Sequence, residues 1–514
     1  MAGSSLNGTT MEQIGLKQRG AFSFELKLRH VLAKGALRRR DMRYTVDIHF
    51  FLPQSFRITP ETYESEAFYE DRTLYVRFNT PHFTVEELAD PGSSESPLRR
   101  VEHLVAEQSP LHDTTFIYES KMLGAVFKSL LRESLGGIRA VTTIEDEDEE
   151  TEPAIQECDD PAGLVKKLHQ IAQRFHAVAA KVLAREDTRH LHQHCRMIDE
   201  HLSLLLERYL TAFLHRNEDE PAADSAYKRI AKVLIAELDY REKRGYPTTS
   251  PGGADVRKLE EYVYREKMLK KYSSEVLFFQ VKMTNEAKRI QHVLYALAAG
   301  IAMAVATSIA FYGQSEFGNI TTSLFILLVV SYMLKDRMKD IFRDYFRRSV
   351  GARFYDRRRH LYDSFWKKKL ASVRERTTFV PLKKANSRIV AFRGQGPFEA
   401  QLARSEEESH LVYRKVVNMR SRTLRRIHNR IRGLADITIV DLANMVRHLA
   451  VQSTTVPIVT GKNAIEVRTA HRVYHLNLIV DYRSGVERRL ERYRLILDRS
   501  GIKRIEPVAS EGAD

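Results

Sequence analysis

The sequence predicts an α+β protein with a two-helix transmembrane hairpin, a mostly helical centre and small mixed α/β domains at both ends. Three observations predict it. Between Ile290 and Leu334 the only Asp, Glu, Lys or Arg is Glu316. Apolar residues recur at helical intervals on either side of that gap, and alternating apolar and polar residues mark strands towards both termini.

A chain of 514 residues has room for roughly three domains of about 150 residues. Apolar residues make up 43% and charged residues 29%, an ordinary mixture that excludes collagen-like, wholly disordered and polytopic-membrane compositions. Two cysteines, Cys158 and Cys195, cannot build a disulfide framework, so the water-facing parts are expected in a reducing compartment. Lys and Arg outnumber Asp and Glu by 82 to 67, a net +15, which favours anionic lipid or nucleic acid as neighbours.

Composition divides the chain into six segments: an N-terminal cytoplasmic α/β domain over 1–142, an acidic linker over 143–160 and a helical region over 161–292, then the hairpin over 293–334, a basic aromatic juxtamembrane helix over 335–376 and a C-terminal cytoplasmic α+β domain over 377–514. In the first, Arg43–Leu52 alternates Tyr44, Val46, Ile48 and Phe50 against polar partners, predicting a half-buried strand. Leu74, Val76 and Phe78 repeat the pattern, and Val101–Leu131 reads as helical with a turn near Ser109 and Pro110. Ile144–Asp160 holds ten acidic residues and no basic one, a self-repelling linker. Helices are expected over 161–214, 222–240 and 254–289, the last stepping through Leu269, Tyr272, Val276, Phe279 and Met283 as a helical stalk.

Two spans are predicted for the hairpin, Val293–Tyr312 and Phe317–Leu334, the first matching the ~20 residues that cross a ~30 Å hydrocarbon layer. Lys and Arg crowd both outer flanks, which by the positive-inside rule predicts a two-pass protein of the cytoplasmic (inner) membrane with both termini in the cytoplasm. Met1–His30 holds no signal-peptide-like apolar run, so the hairpin itself is expected to direct insertion. Ala296, Gly300, Ala304 and Ser308 form a stripe of small residues on one face of the first span, suited to close helix packing against the second span or another copy. Neither span carries a charged group, which speaks against ion coupling through one subunit. The plainer alternative is a buried helical hairpin inside a soluble domain.

Lys335–Lys369 carries 13 Lys and Arg against five Asp. Its Met338, Ile341, Phe342, Tyr345 and Phe346 share a helical face, with Lys335, Arg337, Lys339, Arg343, Arg347 and Arg348 placed to meet anionic headgroups. Ser409–Ala435, with eight Lys and Arg and no acid, reads as a second basic helix. No zinc-finger, helix-turn-helix or RNA motif accompanies it, so a lipid or acidic protein face is expected over nucleic acid. Val473–Tyr482, Leu490–Leu497 and Ile502–Ile505 close the chain as a β-meander.

One constellation suits a metal. If Thr188–His201 is helical, His190, His194 and His201 share a face with Asp187 one turn before, a ligand-like spacing that lacks the glutamate of an HExxH motif. No nucleophile, phosphate loop or paired-carboxylate motif stands out, and no cofactor is implied. The sequence therefore predicts a membrane-anchored interaction, assembly or sensing protein that meets anionic lipid and a protein partner or a second copy. A homo-oligomeric pore or transport accessory, and an anchored metal-dependent enzyme using His190 and His194, are the alternatives.

Overall fold

The computed structural model describes residues 9–32, 41–106, 113–135, 160–216, 224–248, 256–284, 286–318, 321–353, 355–395, 408–427, 430–431, 433–459, 465–485 and 487–511. The acidic segment before Asp160 lies outside them, and Asp160 itself caps the next helix by accepting a hydrogen bond from Gly163 N at 3.0 Å.

Fourteen strands among the described residues make three antiparallel sheets. They are β1 Thr9–Gln18, β2 Ser23–Leu32, β3 Met42–Pro53, β4 Arg72–Phe78, β5 Phe279–Thr284, β6 Arg357–Asp363, β7 Lys369–Phe379, β8 Glu408–Met419, β9 Gly433–Asp441, β10 Ser453–Val459, β11 Ile465–His471, β12 Tyr474–Ser484, β13 Glu487–Asp498 and β14 Gly501–Glu511. The large sheet runs β14-β13-β12-β3-β8-β7-β6-β5, the smaller one β1-β2-β9-β4, and β10 with β11 forms a solvent-exposed ribbon. Both larger sheets mix the two ends of the chain. Ile48 of β3 stands between Val480 of β12 and Tyr413 of β8, and β9 is inserted between β2 and β4. The expected boundaries at 142 and 377 therefore do not separate independent sheets.

β3 is buried on both faces, where the alternation predicted one. Val46, Ile48 and Phe50 face the main core, which also takes in Phe24, Leu26 and Leu28 of β2 and Leu476, Leu478 and Val480 of β12. On the opposite face Phe51 packs with Ile479 and Leu490 against Ile389 and Phe392 of a short helix, Ser387–Arg393. The meander is present as β12, β13 and β14, and its last turn needs Gly501: φ is +124°, and a Cβ there would lie 2.0 Å from Ala21 O.

A layer of ion pairs lies between the facing sheets. Lys415 of β8 reaches Asp436 of β9 at 2.8 Å with neither side chain exposed, and Tyr44 of β3 donates to the other oxygen at 2.7 Å. Beside it Arg72 of β4 and Arg359 of β6 meet Glu375 of β7 at 2.6 and 2.8 Å, with Tyr413 donating to the same carboxylate at 2.5 Å.

The helical centre is built from α4 Asp113–Ser134, α5 Pro161–Leu183, α6 His192–Arg216, α7 Asp224–Arg244 and α8 Val256–Ser274, after three shorter helices α1 Ser65–Glu70, α2 Val85–Ala89 and α3 Pro97–Ala106. Apolar residues of α5 at three- and four-residue steps (Val165, Leu168, Ile171, Ala172, Phe175, Ala179, Val182) are buried, the outcome expected for an amphipathic helix. Inside the bundle His176 lies 2.7 Å from Asp199 and 3.4 Å from Glu237, and Tyr240 and Tyr246 donate to Asp199 at 2.7 and 2.8 Å.

Three predicted helices end early or become strands. The stalk stops at Ser274, and Phe279 and Met283 lie in β5. The juxtamembrane helix ends at Arg353, after which the chain enters β6 and β7. Ser409–Ala435 forms most of β8, a seven-residue helix at Ser421–Ile427 and the start of β9. In each case sheet pairing prevails over a helical spacing assembled from residues of different elements.

Candidate functional site

β5 and β6 pair as an antiparallel ribbon at the edge of the large sheet, Thr284 opposite Arg358. Between them the chain leaves as α9, Glu286–Phe317, and returns as α10, Thr322–Arg353, so the sheet edge continues into a helical hairpin. Ala298 and Ala302 are buried, and Ser331 of α10 donates to Ala306 O of α9 at 3.0 Å. Near the tip a Cβ on Gly313 would lie 2.3 Å from Leu327 Cδ2, so the two helices pack closely there and a larger residue would have to displace the Leu327 side chain. At the other end the Arg343 guanidinium sits 5.3 Å from the Tyr295 ring centre.

These contacts fix the helix register, and they leave the two-helix transmembrane hairpin unconfirmed. Only one helix among the described residues is long and apolar enough to cross a membrane, His292–Glu316 with 25 residues, about 37 Å at 1.5 Å per residue. The second predicted span began at Phe317, but α9 runs to that residue and Gly318, at φ +66°, ends the helix. The charge-free part of α10 is Thr322–Leu334, 13 residues, about 20 Å. Because Tyr295 faces Arg343, the charged stretch of α10 runs beside the first turns of α9's apolar segment.

The tip end presents an apolar exterior. Phe311 and Tyr312 on α9 and Phe325, Ile326, Val330 and Met333 on α10 all expose more than half of their surface. Ala296, Gly300, Ala304 and Ser308 are likewise exposed. The helix–helix contact with α10 uses Ala298, Ala302 and Ala306 instead, and a Cβ on Gly300 would meet nothing within 4 Å. Of the predicted headgroup cations, Arg337 and Arg343 are exposed and Lys335 and Lys339 half-exposed along α10, while Arg347 and Arg348 belong to the same helix.

The predicted metal ligands do not converge. Glu186–Leu191 is a tight 3-10 segment with a break at Thr188 (φ −104°, ψ 15°), and α6 starts only at His192, so the shared helical face is lost. Asp187 is held by Arg185 at 2.7 Å and His190 lies 2.7 Å from Asp113. His194 is buried with its Nδ1 2.8 Å from Tyr272 OH, and burial pushes its pKa down to about 3. His201 is buried elsewhere on α6.

Sequence reading missed a different cluster. Asp47, His49 and Asp481 bring ligand-type atoms within 4.8 Å of one another on the α11 face of the large sheet, α11 being the Ser387–Arg393 helix. Asp47 pairs with Asp481 across β3 and β12, which places two carboxylates side by side. Arginines hold both: Arg414 reaches the two oxygens of Asp47 at 2.7 and 2.8 Å, Arg488 those of Asp481 at 2.9 and 2.8 Å, and Arg483 contacts both acids. Three guanidiniums on two carboxylates already neutralise them, so a cation would have to displace strong bidentate pairs. The arrangement is an ion-pair ladder, with His49 kept neutral by burial, its pKa lowered to about 4.

Compared with known protein families, curated proteins and solved structures, the chain matches none of them.

Proposed function

We propose that this chain is a membrane-anchored interaction, assembly or sensing protein, held at an anionic bilayer by the apolar end of the α9–α10 hairpin while sheets and bundle remain in water. The carrying observation is the exposed apolar exterior of that hairpin beside a run of Lys and Arg on α10. An apolar surface of this kind on a projecting element is unfavourable in water and marks an interaction or membrane site. Lipid suits it, because the charged stretch begins where the apolar one ends and each cation near an anionic surface contributes about 1 kcal/mol. With about 20 Å of charge-free helix in α10, the tip reaches about two thirds of the way through a ~30 Å hydrocarbon layer. The exposed small-residue stripe supports association of anchored copies through α9.

Vesicle flotation tests the reading. The protein is expected to float with phosphatidylcholine vesicles containing phosphatidylglycerol, and Val330→Glu combined with Met333→Glu is expected to leave it at the bottom of the gradient. A cysteine placed at Gln314 should resist membrane-impermeant thiol reagents from either side. Labelling from the far side would restore the two-pass topology, and a wild-type protein that never floats would overturn the anchor.

A further inference from the structure

The ribbon of β10 and β11 joins neither of the larger sheets, and every residue of both strands is exposed. Two strands alone are marginally stable in water, and further strands or a packed face normally secure them. Cross-strand partners share a face, so Pro457, Val459, Ile465 and Val467 make one side of the ribbon apolar. Val459, Ile465 and Val467 expose 73%, 72% and 65% of their surface.

The hydrogen-bond phase of the ribbon decides which edge can take another strand. Arg472 N donates to Gln452 O at 2.8 Å, so those two residues form a hydrogen-bonded pair. Antiparallel pairs alternate between bonded and non-bonded, and Pro457 opposite Val467 stands an odd number of pairs further along. The backbone groups of that pair therefore point outwards, and because proline has no N–H the outer edge of β10 lacks a donor there. The outer edge of β11 is complete. Ile465, Val467, Thr469 and His471 all turn N–H and C=O outwards, and the strand holds no proline, glycine or lysine to blunt it. Among the described residues no other strand takes up that edge.

Charge selects the partner. Glu466 and Arg468 project from the other face of β11 and pair with each other at 3.0 Å. In antiparallel pairing of β11 with β11 of a second copy, a two-fold axis at Val467 sets Glu466 of each copy opposite Arg468 of the other. An axis at Glu466 or at Arg468 sets like charges face to face, which is unfavourable. We propose that two copies of this chain associate through β11, antiparallel and centred on Val467, so that their two ribbons make one four-stranded sheet. Backbone bonds along the open edges supply attachment, as in other strand additions. Val467 of each copy meets that of the other, the two apolar sides become continuous, and Glu466 and Arg468 form a square of alternating charge. The sheet then ends in two β10 edges, each interrupted at Pro457, so growth stops at a closed dimer. The proposal does not rest on the bilayer reading: β11 pairs whether or not the hairpin enters lipid.

The test uses the full-length chain in detergent with Cys158→Ser as background, Cys195 being buried. Val467→Cys is expected to crosslink to itself under mild oxidation, because facing Cα atoms about 5.5 Å apart lie within disulfide reach. Thr469→Cys should not, since its two copies stand roughly 14 Å apart along the strands, but Ile465→Cys mixed with Thr469→Cys should join. Glu466→Arg and Arg468→Glu, both at exposed positions, should each weaken association about tenfold in sedimentation velocity. Mixed in equal amounts the two variants should associate as wild type does, because each meets its complement, whereas misfolded variants would not be rescued. No crosslink at Val467, self-crosslinking at Thr469 as efficient as at Val467, or charge variants that associate alone like wild type would overturn the proposal.

Discussion

Between the two sheets Lys415 and Arg72 each meet a carboxylate, whereas the cleft beside α4 gathers four Lys and Arg side chains and a histidine with no carboxylate in its lining. The two regions use the same residue types to different ends. Lys415 is fully buried, burial lowers its pKa, and Asp436 opposes that by direct pairing. Such a pair is satisfied within the protein and specifies how β8 sits over β9. Asp436→Ala breaks the match most directly, leaving Lys415 without its carboxylate and Tyr44 without its acceptor. Removing one member of a buried pair costs about 3–5 kcal/mol, to be read from equilibrium urea unfolding. A loss below about 1 kcal/mol, the range of surface pairs, would place the pair outside the stabilising core.

The bundle extends the comparison to a titratable pair set. Burial opposes the charge on His176, but the carboxylates of Asp199 and Glu237 outweigh it and raise the pKa to about 9. A histidine whose folded pKa exceeds its unfolded value of about 6.5 stabilises fully below that unfolded value. The contribution then declines as pH rises, and is gone above the folded pKa. Unfolding free energy is therefore expected to fall by a few kcal/mol between about pH 6.5 and 9, and His176→Gln should flatten that slope. His201 runs the other way: its lowered pKa makes protonation favour the unfolded chain, so stability falls as pH drops below about 6.5. A slope unchanged by His176→Gln would mean that the imidazole is not charged in the fold.

How much of this was visible in the sequence follows from where each feature's residues lie. The hairpin was legible because a long charge-free run is local, and so was the closing meander, whose strands follow one another directly. The second predicted span is shorter in the structure because α10 starts only at Thr322, and a helix start is not written in hydropathy. β8 and β9 were hidden by their burial on both faces, which erases the alternation that marks a strand. The pair Lys415–Asp436 joins strands whose facing depends on sheet packing. The cleft cations come from β4, α4 and α8, with Arg77 and Lys270 nearly two hundred positions apart, so no spacing rule finds them. His201 was singled out as a metal ligand because its neighbours were taken to continue one helix, and the break at Thr188 separates them.

The smallest expected effect is the most discriminating. Lys128 is half-buried beside Arg132 and Lys270 and makes contacts of its own, so Lys128→Gln removes repulsion and those contacts together. Its stability should stay within about 0.5 kcal/mol of wild type, in contrast to the cost of Asp436→Ala. Salt then separates repulsion from simple loss of contact. The Debye length shrinks from about 30 Å at 0.01 M to about 8 Å at 0.15 M, so wild type should gain stability over that range and Lys128→Gln should gain less. Thermal unfolding at the two ionic strengths measures the effect, and a variant that melts well below wild type at both would show that the contacts of Lys128 outweigh its repulsion.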